Sequence, residues 1–155
     1  MQVRPFTPED AAQIAQLFHD TIHAINSRDY SPNQLAAWAP DDIYFHDWVA
    51  FCSNRITLVV DDRGTICGFA NLELNGHIDC FYCHKDYQRR GVGALLYQTV
   101  EQQALGLGCD RLFTEASITA KPFFQRLGFT VIQQQTVLRR GEAFINYQME
   151  KFISS

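Results

Sequence analysis

The sequence predicts a single-domain α/β (α+β) fold, with a mixed, mostly antiparallel central sheet and helices on both of its faces. Three observations carry that expectation. A length of 155 residues with 46% hydrophobic content suits one domain with its own core, without metal or disulfide staples. Apolar, β-prone runs follow one another across the turn signals Asp62-Arg63-Gly64 and Asn75-Gly76, as antiparallel hairpins do. Runs with helical spacing of apolar residues lie before and after these strands, and no repeat, linker or low-complexity tract divides the chain.

Taken in order, Gln2 to Phe6 forms a short strand. Thr7 caps a helix with Pro8 at its first position and Asp10 in its first turn. Ile14, Leu17, Phe18, Ile22 and Ile25 fall on one face of that helix, which therefore packs on the sheet. Ser31-Pro32 starts a short helix through Leu35 and Trp38 that Pro40 stops, and Asp41-Asp42 opens a third through Tyr44, Trp48 and Phe51. Ile56 to Val60 and Ile66 to Leu74 are strands, and Asn75-Gly76 turns into a fourth running from His77 to Cys83. A long helix follows from Val92 to about Leu105, with Leu95, Leu96, Val100 and Ala104 inward and Gly106 or Gly108 as its stop. Arg111 to Glu115 is the fifth strand, parallel to the fourth because a right-handed helical crossover joins them. A last helix carries Phe123 and Phe124, and two strands close the chain, at about Phe129 to Val137 and Phe144 to Lys151.

Composition narrows the function classes. A net charge of −4 argues against nucleic-acid binding, which needs a basic face for phosphate contacts. No run approaches the ~18 unbroken apolar residues of a membrane span, and polar residues occupy the N-terminus where a signal peptide would be apolar. A cytoplasmic location is expected, with no membrane partner. The five cysteines are an odd number and read as reduced thiols. Cys80-Phe81-Tyr82-Cys83-His84 spells a haem-attachment pattern. On an extended strand, however, residues three apart face opposite sides, so its two sulfurs do not converge on a haem, a zinc ion or a disulfide. No metal is expected.

The stretch Gln88-Arg89-Arg90-Gly91-Val92-Gly93 lies between the fourth strand and the long helix. Gly91 and Gly93 lack the Cβ that would block backbone approach, and the N–H groups of the first helical turn converge where the helix dipole favours an anion. Arg89 and Arg90 add guanidinium forks suited to phosphate oxygens. A phosphorylated cofactor is the expected ligand. Ala94-Leu95 replace the Lys-Ser/Thr of a P-loop, and the turn lacks the third glycine of a dinucleotide fingerprint.

This run resembles the Q/R-x-x-G-x-G/A signature of the GNAT superfamily of acetyl-CoA-dependent N-acetyltransferases. The opening Val3 to Ala11 and the late segment Lys121 to Phe129 resemble other parts of that superfamily, so the likeness spans nearly the whole chain. Tyr30 to Pro40 and Glu115-Ala116-Ser117 look closest to a YafP-like bacterial subgroup. The resemblance implies acetyl-CoA as cosubstrate, with its pyrophosphate on Gln88 to Ala94, including Val92. It implies that strands four and five splay apart and that the pantetheine arm pairs with the free edge Phe81-Tyr82-Cys83. A thioester carbonyl there would have its oxyanion stabilised by backbone N–H groups.

Acetyl transfer needs a neutral amine, hence a base. Strand alternation would put His77, Asp79, Phe81 and Cys83 on one face, and the superfamily commonly carries a carboxylate base on this strand. Asp79 is the first choice and His77 the second; otherwise Asp79 is a structural acid and His77 a solvated strand end. Phe124 stands where many members of the superfamily have a Tyr that protonates the leaving thiolate. Ser117 is either a hydrogen-bonding partner of pantetheine or a water beside the sulfur, or else a helix cap. Tyr30 and Trp38 are the best acceptor-site candidates in an aromatic segment that otherwise packs as core. The expected acceptor is a small-molecule or peptide amine, the expected assembly a monomer or homodimer. A non-catalytic acetyl-CoA-binding regulatory module is the alternative.

Overall fold

The computed structural model describes residues 1–154, which form one seven-stranded sheet with helices on both faces. Strand β1 (Gln2–Pro5) pairs antiparallel with β2 (Ile56–Asp62). Between them Thr7 starts a 3-10 turn, Pro8–Asp10, that runs into helix α1 (Ala11–Ala24). Asp10 fixes this junction: its carboxylate accepts the Thr7 N–H at 2.8 Å and both Arg4 Nη groups at 2.9 and 2.8 Å. The Arg4 guanidinium holds the Asp10 carboxyl below the usual carboxylate range. Ile14, Leu17, Phe18 and Ile22 of α1 are buried against the sheet, as their spacing requires.

Ser31 and Gln34 form a reciprocal cap at the start of α2 (Pro32–Trp38). The third helix does not open at Asp41-Asp42. Asp42 accepts the Tyr44 N–H at 3.0 Å in a local turn, and Asp47 caps α3 (Trp48–Ser53) by accepting the Ala50 N–H at 3.0 Å. A short acidic side chain that bonds two residues on builds a turn, while one that reaches the third helical N–H builds a helix start.

Strands β2, β3 (Thr65–Leu72) and β4 (His77–Cys83) make an antiparallel meander. β3 ends two residues earlier than expected because Glu73 to Gly76 close the hairpin, with Asn75 Oδ1 accepting the His77 N–H at 3.1 Å. Helix α4 (Val92–Gly106) crosses to β5 (Arg111–Ser117), parallel to β4. Helix α5 (Lys121–Arg126) leads to the hairpin β6 (Thr130–Arg139) and β7 (Glu142–Phe152). The order β1-β2-β3-β4-β5-β7-β6 seats β7 between β5 and β6. One core cluster packs α1 to α3 on Val59, Ile66 and Phe69; the other packs α4 and α5 on Leu72, Ile78, Leu112 and Met149. No helix among the described residues is long and apolar enough to cross a membrane.

Candidate active site

β4 and β5 pair only at His77–Phe113 and Ile78–Thr114, then part. On its other side β4 carries a bulge. Ala70 pairs with Phe81 and Leu72 with Ile78, so the single residue Asn71 opposes both Asp79 and Cys80. The bulge breaks the simple alternation. Cys80 and Tyr82 pack in the α1 core, while Ile78, Phe81 and Cys83 belong to the α4 core. The expectation that His77, Asp79, Phe81 and Cys83 share a face therefore fails, because one extra residue inverts the pleat beyond it. The two sulfurs of the haem-like pattern do face opposite sides, and all five cysteines are free thiols.

The direction of the open edge follows from one bond. The His84 N–H donates to Cys67 O at 2.9 Å, toward β3. Backbone groups alternate along a strand, so Phe81 and Cys83 turn their N–H groups the other way, into the gap that β5 leaves. Thr21 Oγ1 and Gln88 Nε2 both donate to Cys83 O, each at 3.0 Å, and brace the strand end. Gln88 thus serves the turn as a brace.

The glycine turn is built by backbone conformation. Arg89 and Gly91 adopt φ of +60° and +80°, and α4 begins at Val92 with no side-chain cap. The first helical bond runs from the Leu95 N–H to Gly91 O, which leaves the N–H groups of Val92, Gly93 and Ala94 without intrahelical acceptors. A Cβ on Gly91 would meet nothing within 4 Å, so the space above the helix start is open. Gly93 is required for a different reason: its Cβ would lie 2.8 Å from Phe123 Cε1. Arg90 lies over the Tyr87 ring at 4.5 Å, and Arg89 and Arg90 are both exposed.

Beyond the splay, on the α1 side, opens a cleft of about 290 Å³. Phe18, Tyr30, Trp38, Phe45, Trp48 and Phe144 form its aromatic wall, and Phe81, Ser117 and Phe124 line its inner end. Tyr30 and Trp38 therefore lie in the cleft. The Tyr30 hydroxyl is committed to the frame: it donates to Ile145 O at 2.7 Å and accepts the Ile118 N–H at 2.9 Å. Trp38 Nε1, by contrast, is buried with only the Tyr82 hydroxyl near it and no partner in good hydrogen-bond geometry, and Asn146 Oδ1 is buried without a partner.

Asp79 lines the cleft, and its Oδ2 accepts Arg55 Nε at 3.0 Å. Arg55 also donates to Phe51 O and lies 3.9 Å over the Phe51 ring, so Asp79 anchors the junction between α3 and β2. His77 does not line the cleft. Its ring is held between the carboxylates of Glu73 and Glu115, with Nε2 at 2.8 Å from Glu115 Oε1. These acids, Glu115 foremost, raise its pKa to about 9, so the ring is a cation at neutral pH. Glu115 itself does reach the cleft. It sits one rung past the last β4–β5 pair, level with Asp79 as the strands part.

Ser117 Oγ accepts the Ala120 N–H at 3.0 Å, so it braces the turn into α5 while facing the cleft. Phe124 is 3% exposed and packs edge-on to Phe81 and Phe129. His46, from the aromatic segment Tyr30 to Trp48 that the resemblance assigns to the acceptor side, lines the cleft; Glu115, Arg139, Arg140 and Asn146 also line it, and sequence reasoning had not placed them there. Only the register of β5 against β4 could have pointed to Glu115; the rest come from the distant β6–β7 hairpin or a loop. Burial and the Arg55 charge lower the His46 pKa, so this ring is neutral at pH 7. His19, His23 and Asp41 bring ligand-type atoms within 4.8 Å outside the cleft. There the His19 nitrogens meet Asp20 and Asp41, and His23 Nε2 meets Ala39 O.

Comparison with known proteins agrees with this geometry. Residues 26–151 match the family model described as an acetyltransferase (GNAT) domain. The chain is 33% identical to the uncharacterized N-acetyltransferase YafP of Escherichia coli K12, covering 96% of this chain and 94% of that protein. A GCN5-related N-acetyltransferase structure from Rhodopseudomonas palustris, titled an aminotransferase of class II, superposes with a TM-score of 0.92 at 37% identity, covering 98% and 95% of the two chains. The PaiA N-acetyltransferase of Thermoplasma acidophilum, solved with coenzyme A, shares the fold at a TM-score of 0.80 and 16% identity, covering 98% of each chain. With a parallel splay, an uncapped glycine turn and a family match over most of its length, this chain belongs to the GNAT family of N-acetyltransferases.

Proposed function

We propose that the protein transfers an acetyl group from acetyl-CoA directly to a neutral amine, with both substrates bound at once. The observation that carries this reading is the open edge of β4, which lies between the uncapped start of α4 and the aromatic cleft. The N–H groups of Val92, Gly93 and Ala94, with Arg89 and Arg90, hold the pyrophosphate. The Phe81 and Cys83 N–H groups line up the pantetheine and stabilise the oxyanion, a contribution of about 3–4 kcal/mol where such donors have been removed. Asp79 accepts the amine proton, directly or through one water, with Oδ1 free while Arg55 holds Oδ2. The protonated His77 orients Glu115 and is not the base. Phe124 walls the sulfur and offers it no proton. The Ser117 hydroxyl, which accepts from Ala120 N–H and keeps its own proton to donate, holds a water beside the sulfur.

An amine panel with acetyl-CoA, read by release of free thiol, tests the proposal. Release that depends on an amine and is lost in Asp79→Asn supports it. Tight acetyl-CoA binding with no amine-dependent release would favour a regulatory module that binds the cofactor without turnover.

A further inference from the structure

The ionised groups around the cleft do not cancel. Asp79 is paired with Arg55, and Glu115 is paired with His77. Arg139 and Arg140, in contrast, have no carboxylate partner among the described residues. The Arg139 guanidinium lies 5.8 Å from the Trp38 ring and 6.0 Å from the Phe144 ring. Arg140 lies 4.8 Å over Phe45, and its Nη1 donates to Ala37 O. The β6–β7 turn holds both in place with φ of +46° at Arg140 and +81° at Gly141. A chain of net charge −4 thus directs two unpaired guanidinium groups at the aromatic wall of its cleft.

Two orphaned polar atoms give the cleft a polarity. Trp38 Nε1, on a residue 8% exposed, is an under-satisfied donor: it meets no acceptor in good hydrogen-bond geometry, and only the Tyr82 hydroxyl stands near it. Asn146 Oδ1, on a residue 7% exposed, is an acceptor without a donor. Leaving such groups unpaired is unfavourable, and a ligand that pairs with them recovers that cost. Trp38 lies beside Arg139, at the outer end. Asn146 is the β7 partner of Ser117, at the inner end. An acceptor that fits both ends has an N–H directed inward and an anionic oxygen directed outward.

We propose that the acceptor is an amino acid or a similar small amine that carries a carboxylate on an apolar body. Its carboxylate meets Arg139 and the Trp38 N–H, its apolar body lies along Tyr30, Phe45 and Phe144, and its amine donates to Asn146 Oδ1 beside the thioester. The positive field of Arg139 and Arg140 favours the neutral amine, the form that attacks. This proposal rests on the acetyl-transfer reading and names the substrate class for the same site.

Matched pairs test it: phenylalanine against phenethylamine, leucine against isoamylamine, and phosphoethanolamine against ethanolamine. Each is measured as kcat/KM for thiol release, corrected for the neutral-amine fraction. Each is also titrated into the coenzyme A complex by quenching of Trp38 and Trp48, the protein's two tryptophans. The carboxylate should improve binding and kcat/KM by about tenfold or more in at least one pair, equivalent to ~1.4 kcal/mol. Arg139→Gln should bring that ratio toward one while coenzyme A affinity holds. Equal or better performance by every amine without a carboxylate overturns the proposal, as does a ratio that survives Arg139→Gln. A preference confined to phosphoethanolamine overturns it in favour of a phosphate-bearing acceptor. A binding preference that depends on Arg139 without any thiol release keeps the carboxylate-bearing amine as the ligand of this cleft and refutes its role as an acetyl acceptor.

Discussion

Gly91 separates cofactor binding from backbone strain. Its φ is +80°, and a Cβ there would meet no protein atom within 4 Å. Gly91→Ala therefore costs only the left-handed backbone conformation, about 1–2 kcal/mol for a residue with a Cβ. In a chain of 155 residues that lowers the Tm by about 2–8 °C. The added methyl takes up space that the protein leaves open at the start of α4, where the pyrophosphate is proposed to sit. Acetyl-CoA affinity should fall more than tenfold, ~1.4 kcal/mol or more. Gly91→Val is a poorer probe, since a β-branched residue at this φ adds strain of its own. Gly93→Ala is the contrasting variant. Its Cβ would meet Phe123 at 2.8 Å, so it overpacks the contact between α4 and α5 at a cost of about 1–3 kcal/mol. Calorimetric titration with acetyl-CoA, alongside thermal denaturation, reads both quantities. A folded Gly91→Ala variant with wild-type affinity would refute the proposed pyrophosphate site.

Four other outcomes are expected. Asp79→Asn should lower kcat by ~10²-fold or more while acetyl-CoA affinity holds; a loss seen only in denaturation would make Asp79 a structural acid that anchors Arg55. His77 has a folded-state pKa raised from 6.5 to about 9, so its contribution to stability is complete below pH 6.5 and is lost as pH rises toward 9. Melting curves across that window should show a decline in wild type that His77→Gln lacks, and parallel curves would contradict the raised pKa. Tyr30→Phe leaves Ile145 O and the Ile118 N–H without their shared hydroxyl and should cost about 2 kcal/mol in urea denaturation. Ser117→Ala should lower thiol release severalfold and stability by about 1 kcal/mol through the Ala120 N–H; an unchanged rate would confine Ser117 to the turn.

What the chain determines locally was legible in its sequence. Helical spacing on α1 and α4, the Ser31-Pro32 start of α2, the Asn75-Gly76 hairpin and the glycine turn all depend on residues within a few positions of one another. The parallel crossover from β4 to β5 was legible too, since a strand–helix–strand connection of this kind is right-handed by backbone chirality. The Asp41-Asp42 helix start failed because Asp42 closes a local turn on the Tyr44 N–H and Asp41 meets His19, whereas Asp47 caps the helix whose Trp48 packs against Phe18 and Phe69. The bulge opposite Asn71 was out of reach of alternation, because a bulge is a relation between two strands. It inverted the face of Phe81 and Cys83 while Asp79 stayed toward the cleft. Tertiary structure alone brought Arg139, Arg140 and Asn146 to Trp38 and Ser117, more than a hundred residues from the one and between twenty and thirty from the other. It also decided the charge of His77, since an imidazole between Glu73 and Glu115 is a cation whatever its neighbours in the chain. The turn proposed for the cofactor could be read from the sequence because a helix start presents its own backbone donors, whereas the cleft proposed for the acceptor is lined by side chains that meet only when the sheet closes.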